Sequence, residues 1–476
     1  MQSQFRGHDP SGVNPASFSE LLQHYRDAER LDQIQQQQIQ QADEICQQVA
    51  HPTGLKPTAE QQDSIDGILR WVNSNEGLFC TFTGPAGSGK STTTRLIRQV
   101  LLNSGRTVGL AAPTHKACGV LAAACNVAKN STATFASLLA LREKKNRDQI
   151  EFVRDYKRKP RIDEAEIWIC DEASMLEPVL LKMLEQEADF WTRFIFVGDP
   201  AQLPPVNHGK VSPALRCTPR FELTKVLRHD GAVLDAATRI RQTTGSKYRV
   251  PFHQTVIGDG SAIHTYADKR DWQRAILETA AEHHDANDPD AFRVLTFRRD
   301  EAAKINLAIR RHVRGLKADP FLKGERLITV EAVNDPADLN GMPLYGSSRE
   351  LVIQQCQQGE LLHPTCADGK PYRCWELLTL ADGPDEVPQY LRVIDPSHDG
   401  KLAVAMSELR REALTKPKGE QGAWDAFWEL KSQFAVLQPH WAMTVHKSQG
   451  SQFRHVFIGP DLDKVPGPKR LTRNLW

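Results

Sequence analysis

Between residues 78 and 205 short apolar runs alternate with stretches of helical period. LFCTFTG (78–84) reads as a buried strand running into a glycine loop, and STTTRLIRQVLLNSG (91–105) as the helix that follows it. TVGLAAP (107–113), EIWICDE (166–172) and RFIFVGD (193–199) repeat the strand signal, each ahead of a turn or helix start. Strands in series with helical crossovers predict a parallel sheet covered on both faces, with the loops after the strands gathered on one ligand-binding edge. The pattern returns after residue 215. FRVLTFRRDEAAKINLAIRRHV (292–313) predicts a strand and an amphipathic helix with Ala302, Ile305, Ala308 and Ile309 on one side. From about 324 to 436 the helical period fades. β-like runs such as ELVIQQC and YLRVIDP, punctuated by Gly and Pro, predict a small β-rich insertion. PHWAMTVHKSQG and HVFIGPD (455–461) then restore the second α/β unit. The predicted fold class is α/β, with two parallel-sheet domains and an inserted β-rich one.

These patterns divide the chain into an accessory segment 1–54, a first α/β domain 55–214 interrupted at about 141–164, a second one in two parts (215–323 and 437–476), and the insertion 324–436. A length of 476 residues fits about three units at roughly 150 residues each. The Gln-rich run LDQIQQQQIQQADEICQQV (31–49) fits either a polar helix or a partly disordered tail. Hydrophobic residues at 40% and charged residues at 25% supply ordinary globular cores and exclude disulfide-scaffold and collagenous classes. No run approaches the ~20 apolar residues of a membrane span, and MQSQFRGHDP lacks a signal-peptide core, so no membrane partner is expected. Nine cysteines without a CxxC pair fit a reducing, cytoplasmic setting and argue against structural zinc. With a formal charge of +1, any polyanion must be held by local patches.

Gly84-Pro85-Ala86-Gly87-Ser88-Gly89-Lys90-Ser91 fits GxxxxGK[ST] between a predicted strand and helix. The glycines allow backbone N–H groups to turn toward phosphates at the positive end of the helix, where Thr92 also lies. Lys90 would bridge the β- and γ-phosphates of ATP and Ser91 would bind Mg²⁺. Asp171 and Glu172, directly after EIWIC, supply the acidic partners. Asp171 would hold Mg²⁺ through its water shell, and Glu172 would polarise the attacking water as general base. Capping of the segment after them is the alternative for these two carboxylates.

Beside GPAGSGKS and DEAS, the chain carries PTHKA (113–117), GDPAQLPPV (198–206), LTKVLRH (223–229) and TVHKSQGSQF (444–453). In that order these strings resemble the motifs of superfamily 1B DNA helicases of the RecD/Dda-like group, over about residues 55–476. The resemblance implies two RecA-like domains that grip ATP between them and walk 5′ to 3′ on single-stranded DNA, a small 1B pin at 141–164 and an SH3-like 2B domain at 324–436. It assigns Gln61, in the TAEQ string, to adenine, Gln202 to sensing the γ-phosphate, Arg228 to stabilising transition-state charge, and Gly450 to the nucleotide. It sets Pro113, Thr114, His115, Lys116, Thr134 and Phe135 toward DNA, with Thr132 and Ser137 beside them, and Thr444, His446 and Lys447 toward DNA or the ATP cleft. Ordinary alternatives accompany several of these: a helix-start Gln for Gln61, a surface arginine for Arg228, an N-cap for Thr444, and a core position for Phe135 beside Leu138 and Leu139. The basic run around Tyr156 (Lys157, Arg158, Lys159, Arg161) fits either the pin or a solvated loop.

The family's final motif carries an essential arginine. The sequence stops at Trp476, and Lys469, Arg470 and Arg473 do not fill that slot. The expectation is a chain that binds ATP and DNA with impaired turnover. Three readings follow: an ATP-driven helicase acting on single-stranded DNA and its duplex junctions, an ATP-dependent DNA clamp without stimulated turnover, and a P-loop NTPase acting on protein or RNA.

Overall fold

The computed structural model describes residues 56–462, apart from 75, 147–148, 206–209, 228–230, 243–254, 257–261, 267, 284–287, 337–342, 367–368, 383–385 and 416–421. The Gln-rich segment, Arg228, Lys469, Arg470 and Arg473 lie outside the described residues.

Thr58 opens the first described helix, Ala59–Asn73. Its hydroxyl accepts from the Gln61 N–H (3.3 Å) while its own N–H donates to Gln61 Oε1 (2.9 Å), a capping box that ties off two orphan donors. Ile65, Ile68, Leu69 and Val72, at helical spacing, are buried against the first sheet. That sheet is built from β1 (Phe79–Thr83), β2 (Val108–Ala112) and β3 (Thr132–Thr134). The hairpin β4 (Leu141–Asn146) and β5 (Gln149–Arg154) stands apart from it, and β6 (Ile167–Cys170), β7 (Arg193–Gly198) and β8 (Arg220–Glu222) complete it. The order is β3-β2-β6-β7-β1-β8, parallel throughout.

Alternation along the strands feeds two cores. Cys80, Phe82, Leu110, Ile169, Ile195 and Val197 pack with Ile65, Ile97 and Leu121 on one face. Trp168, Cys170, Phe194 and Phe196 pack with Leu138, Ile162 and Leu184 on the other. Burial on both sides is why these strands read as near-continuous apolar runs. Since β8 pairs with β1, the first domain extends past the boundary expected at 214. The 141–164 interruption is a hairpin over 141–154, and the basic run falls after it, in a turn and the short 3-10 helix Arg161–Glu164.

Further on, β9 (Thr255–Val256) and β10 (Ala262–Ile263) form a small antiparallel pair. Next comes β11 (Phe292–Thr296), followed by the predicted helix as Arg299–Arg314. Ala302 and Ile309 are buried as expected, whereas Ala308 is exposed. Asn306 takes the inward position instead, and its amide exchanges two hydrogen bonds with Ala442 (2.9 and 2.8 Å). A buried amide with both ends satisfied is tolerated where an apolar residue would leave a strand group unpaired. The insertion holds β12 (Arg326–Thr329), β13 (Glu350–Leu361), β14 (Tyr372–Ala381) and β15 (Gln389–Ile394), closed by β16 (Leu437–Pro439) in the antiparallel order β15-β14-β13-β12-β16. It is not β-rich throughout: helices Asp399–Thr415 and Gly422–Ser432 fall inside it and pack on Tyr372 and Cys374. Finally β17 (Ala442–Thr444) and β18 (His455–Ile458) flank β11 in a parallel three-stranded sheet.

Candidate nucleotide site and nucleic-acid interface

β7 lies between β6 and β1 in the first sheet, so three consecutive strand ends deliver Asp171, Asp199 and Gly84 to one edge. The loop after β1 turns through Gly87 (φ +79°) and Gly89 (φ +92°), both in the left-handed region. At Gly89 a Cβ would also sit 2.3 Å from Gln61 Nε2, so a side chain there would be strained and would have to displace the Gln61 amide. Gly84 donates to Gly198 O, and the buried Ser88 donates to Pro85 O (2.9 Å). Helix Lys90–Asn103 begins at Gly89 with no side-chain cap, leaving its first N–H groups for an anion. The Lys90 ammonium folds back onto the carbonyls of Gly84 (2.7 Å) and Pro85 (2.9 Å). Burial pushes its pKa below the usual lysine range against the opposing fields of Asp199, Asp171 and Glu172. Pro85, Gly87 and Thr92 are half-buried, and Ala86 and Ser91 are exposed at the mouth.

Burial raises the pKa of Asp171 although Lys90 and the Glu172 N–H (2.8 Å) oppose it. Glu172 is pushed up to about 7, first by burial and then by the Asp171 charge. Its backbone is left-handed (φ +51°, ψ +37°), a conformation that costs a non-glycine residue energy and that clusters at functional sites. No side-chain cap is present at this turn, so capping does not account for Glu172. Gln61 is almost fully buried, with its carbonyl oxygen committed to the capping box and its Nε2 against Gly89.

The second sheet meets this edge. Gly450, itself at φ +74°, brings its Cβ position within 3.9 Å of Glu172 Oε1. Leu203 of GDPAQLPPV is buried against Leu462, Phe297, Val445 and Ile458 at the carboxyl edge of β11 and β18. Gln202 is half-buried beside it, with its N–H on Asp199 O (3.1 Å). Sequence reasoning missed three residues here. Asp199, almost fully buried, receives both terminal nitrogens of Arg241 (2.7 and 2.8 Å). Glu60 accepts from Thr224 Oγ1 (2.5 Å) and the Thr224 and Lys225 N–H groups (2.7 and 3.3 Å), which fastens the start of LTKVLRH to the first helix. The Leu227 N–H then donates to Gly87 O (2.9 Å), so this segment lies along the phosphate loop.

The residues assigned to DNA divide into two groups. Pro113, Thr114, His115 and Lys116 follow β2, with Thr114 and His115 exposed and Thr114 capping helix His115–Ala124 through Ala117 (3.1 Å). The His115 ring lies against Gly346, while Lys116 pairs with Glu350 (3.3 Å) and stands 5.7 Å above the Phe453 ring. Thr134 caps the short helix after β3 through Ser137 (3.1 Å). Burial lowers the pKa of the half-buried His446, and brings that of Lys447, which donates to Val330 O (3.0 Å), to about 8. Phe135 and Thr444 belong elsewhere. The Phe135 ring is 2% exposed, packed with Leu138, Leu139 and Trp168, and has no face for a base. Thr444, which pairs with Thr296 inside the second sheet, is likewise buried.

A family model for the AAA domain matches residues 56–249. Among curated proteins the chain is similar to the ATP-dependent DNA helicase dda of Enterobacteria phage T4, 26% identical over 420 residues that cover 84% of this chain and 92% of that protein. It is also similar to the ATP-dependent RecD2 DNA helicase of Deinococcus radiodurans, 33% identical over 147 residues, 31% of this chain and 19% of that protein. Similar solved structures include a Pif1 helicase from work on unwinding at forked duplex DNA (18% identity, TM-score 0.44, 88% of this chain and 89% of that one) and the Candida albicans Pif1 helicase (15%, 0.39, 88% and 92%). With the motif strings standing in order along this chain, the AAA-domain match and these two relatives support its likeness to the RecD/Dda-like group of superfamily 1B helicases.

Proposed function

We propose that the chain is an ATP-hydrolysing motor that moves 5′ to 3′ along single-stranded DNA and opens duplex at single-strand/duplex junctions. The observation that carries this reading is the seam: the phosphate loop and the Asp171–Glu172 pair stand on one sheet edge, and Gly450 and Leu462, which follow strands of the second sheet, close against it. Ligand held at such a seam changes how two lobes sit together, which is the coupling a motor needs. Lys90 would release Gly84 O and Pro85 O to take the β- and γ-phosphates, and Glu172 would accept the proton of the attacking water. Ser91 and Asp171 would hold Mg²⁺, which neutralises phosphate charge when bound; one or two protein oxygens plus phosphates are a common way to bind it. The names of the T4 and D. radiodurans relatives support DNA as the substrate. The strand track would run past Pro113, Thr114, His115, Lys116 and Thr134 on one sheet edge and past His446 and Lys447 on the other, with the hairpin 141–154 dividing the duplex.

The test is ATP turnover with and without single-stranded DNA, paired with strand displacement from 5′-tailed and 3′-tailed duplexes. Stimulated turnover and opening of the 5′-tailed substrate alone are expected. DNA binding that follows nucleotide state without added turnover would make the chain a clamp instead. No response to DNA would sink both.

The Glu172 carboxyl sets a pH limb. Its pKa is raised, so the basic form is lost as pH falls through about 7. DNA-stimulated turnover is expected to drop about tenfold per unit on the acid side and to level off above that point, read as rate against pH at saturating ATP. A flat profile down to about pH 5.5 would remove Glu172 from the base role.

A further inference from the structure

Arg241 lies at the carboxyl end of helix Ala232–Gln242, beyond the segment that runs along the phosphate loop. Its guanidinium forks onto Asp199, and the two ends differ in exposure: the Asp199 side chain is 3% exposed, the Arg241 side chain 33%. Asp199 follows the strand between the one that ends at Asp171 and the one that feeds the phosphate loop. Among the described residues, the cleft thus sets three carboxylates (Asp171, Glu172, Asp199) against Lys90 and Arg241. A triphosphate entering it needs cations aimed at its terminal oxygens. A guanidinium fits a phosphate in the same planar, two-pronged way that it fits a carboxylate. Exchange of one for the other keeps its geometry, and Asp199 retains the Ala201 N–H (2.9 Å) and the Lys90 field when the guanidinium leaves.

We propose that Arg241 is a nucleotide-responsive latch: in the empty cleft it is parked on Asp199, and it transfers to the γ-phosphate of ATP, so that triphosphate but not diphosphate releases this tie. This rests on the cleft being an ATP site. It adds a γ-phosphate reader that is distinct from Gln202 and Arg228.

The test is equilibrium binding of ATPγS and ADP, each with Mg²⁺, to the full chain and its variants. Arg241→Ala is expected to weaken ATPγS by about ten- to a hundredfold and ADP by less than about twofold, since the nucleotide contact it removes is a charge-assisted one to the γ-phosphate, which ADP lacks. Asp199→Asn, which loosens the parking site, is expected to tighten ATPγS, and the double variant to behave as Arg241→Ala does. Retained ADP binding shows that each variant is folded. Equal weakening of both nucleotides would make Arg241 a structural support only, and unchanged ATPγS affinity would remove it from the site; either overturns the proposal. Failure of the unaltered chain to bind either nucleotide would instead overturn the ATP-site reading itself.

Discussion

Glu172→Gln is expected to cut DNA-stimulated ATP turnover by about 10²–10⁴-fold, the range that a positioned general base contributes, while ATP binding stays within about threefold. The amide keeps the shape and hydrogen-bonding reach of the carboxylate, and Lys90, Ser91 and Asp171 are untouched, so the ground-state complex should form. A loss confined to turnover marks an interaction made in the transition state. The same variant should lose the acid limb near pH 7. A second substitution separates chemistry from backbone strain. Glu172 holds a left-handed conformation that glycine adopts freely, so Glu172→Gly is expected to be as stable as the unaltered chain or more so, by about 1 kcal/mol, and equally inactive. Turnover in Glu172→Gln above about a tenth of the original would move the base to another group of the cleft.

What was legible in the sequence was local. A buried strand, a glycine turn and a helix start lie within the fourteen residues 78–91, and the strand-to-DEAS junction is as compact. Apolar alternation and glycine placement therefore suffice to locate the phosphate loop, Asp171 and Glu172 on one edge. Long-range polar pairing was not legible. Arg241 meets Asp199 across 42 positions, Asn306 meets Ala442 across 136, and Asp461 takes the Phe297 and Arg298 N–H groups across 164 and 163. None leaves a periodic trace, because each joins one polar side chain to a group far along the chain, which at Ala442, Phe297 and Arg298 is a backbone group that any residue carries. Helix Asp399–Thr415 escaped for a related reason: its buried positions are only Ala405 and Ala413, too few and too small to make an apolar stripe. Phe135 shows the reverse error. A motif string drew it toward DNA, whereas its neighbours Leu138 and Leu139 already described a core.

Glu350→Ala is expected to destabilise the chain by about 3–5 kcal/mol, the cost of leaving a buried charge without its partner. Arg293 is fully buried inside the second sheet, and its Nη2 donates to Glu350 Oε1 at 2.8 Å. Its Nη1 takes the carbonyls of Pro289 and Phe292, and its Cζ lies 4.8 Å from the Phe453 ring centre. Burial penalises the Glu350 carboxylate, yet the fields of Arg293 and Lys116 outweigh that and hold its pKa below the ordinary glutamate value. Lys116 reaches the same oxygen from the first domain, but its side chain is 30% exposed. Lys116→Ala should therefore cost at most about 1 kcal/mol after solvent screening. Phe453 lies below both cations, so the cluster joins β13, the second sheet and the PTHKA turn through one carboxylate. The measurement is chemical denaturation followed by tryptophan fluorescence, with Trp441 as a reporter buried in the second-sheet core. The double substitution Arg293→Met with Glu350→Leu separates lost attraction from stranded charge: it should recover most of the loss, since a buried pair replaced by apolar residues of similar volume is commonly neutral or stabilising. If Glu350→Ala instead stays within about 0.5 kcal/mol of the unaltered chain, Arg293 reaches water or another acceptor and the cluster is not what joins these elements.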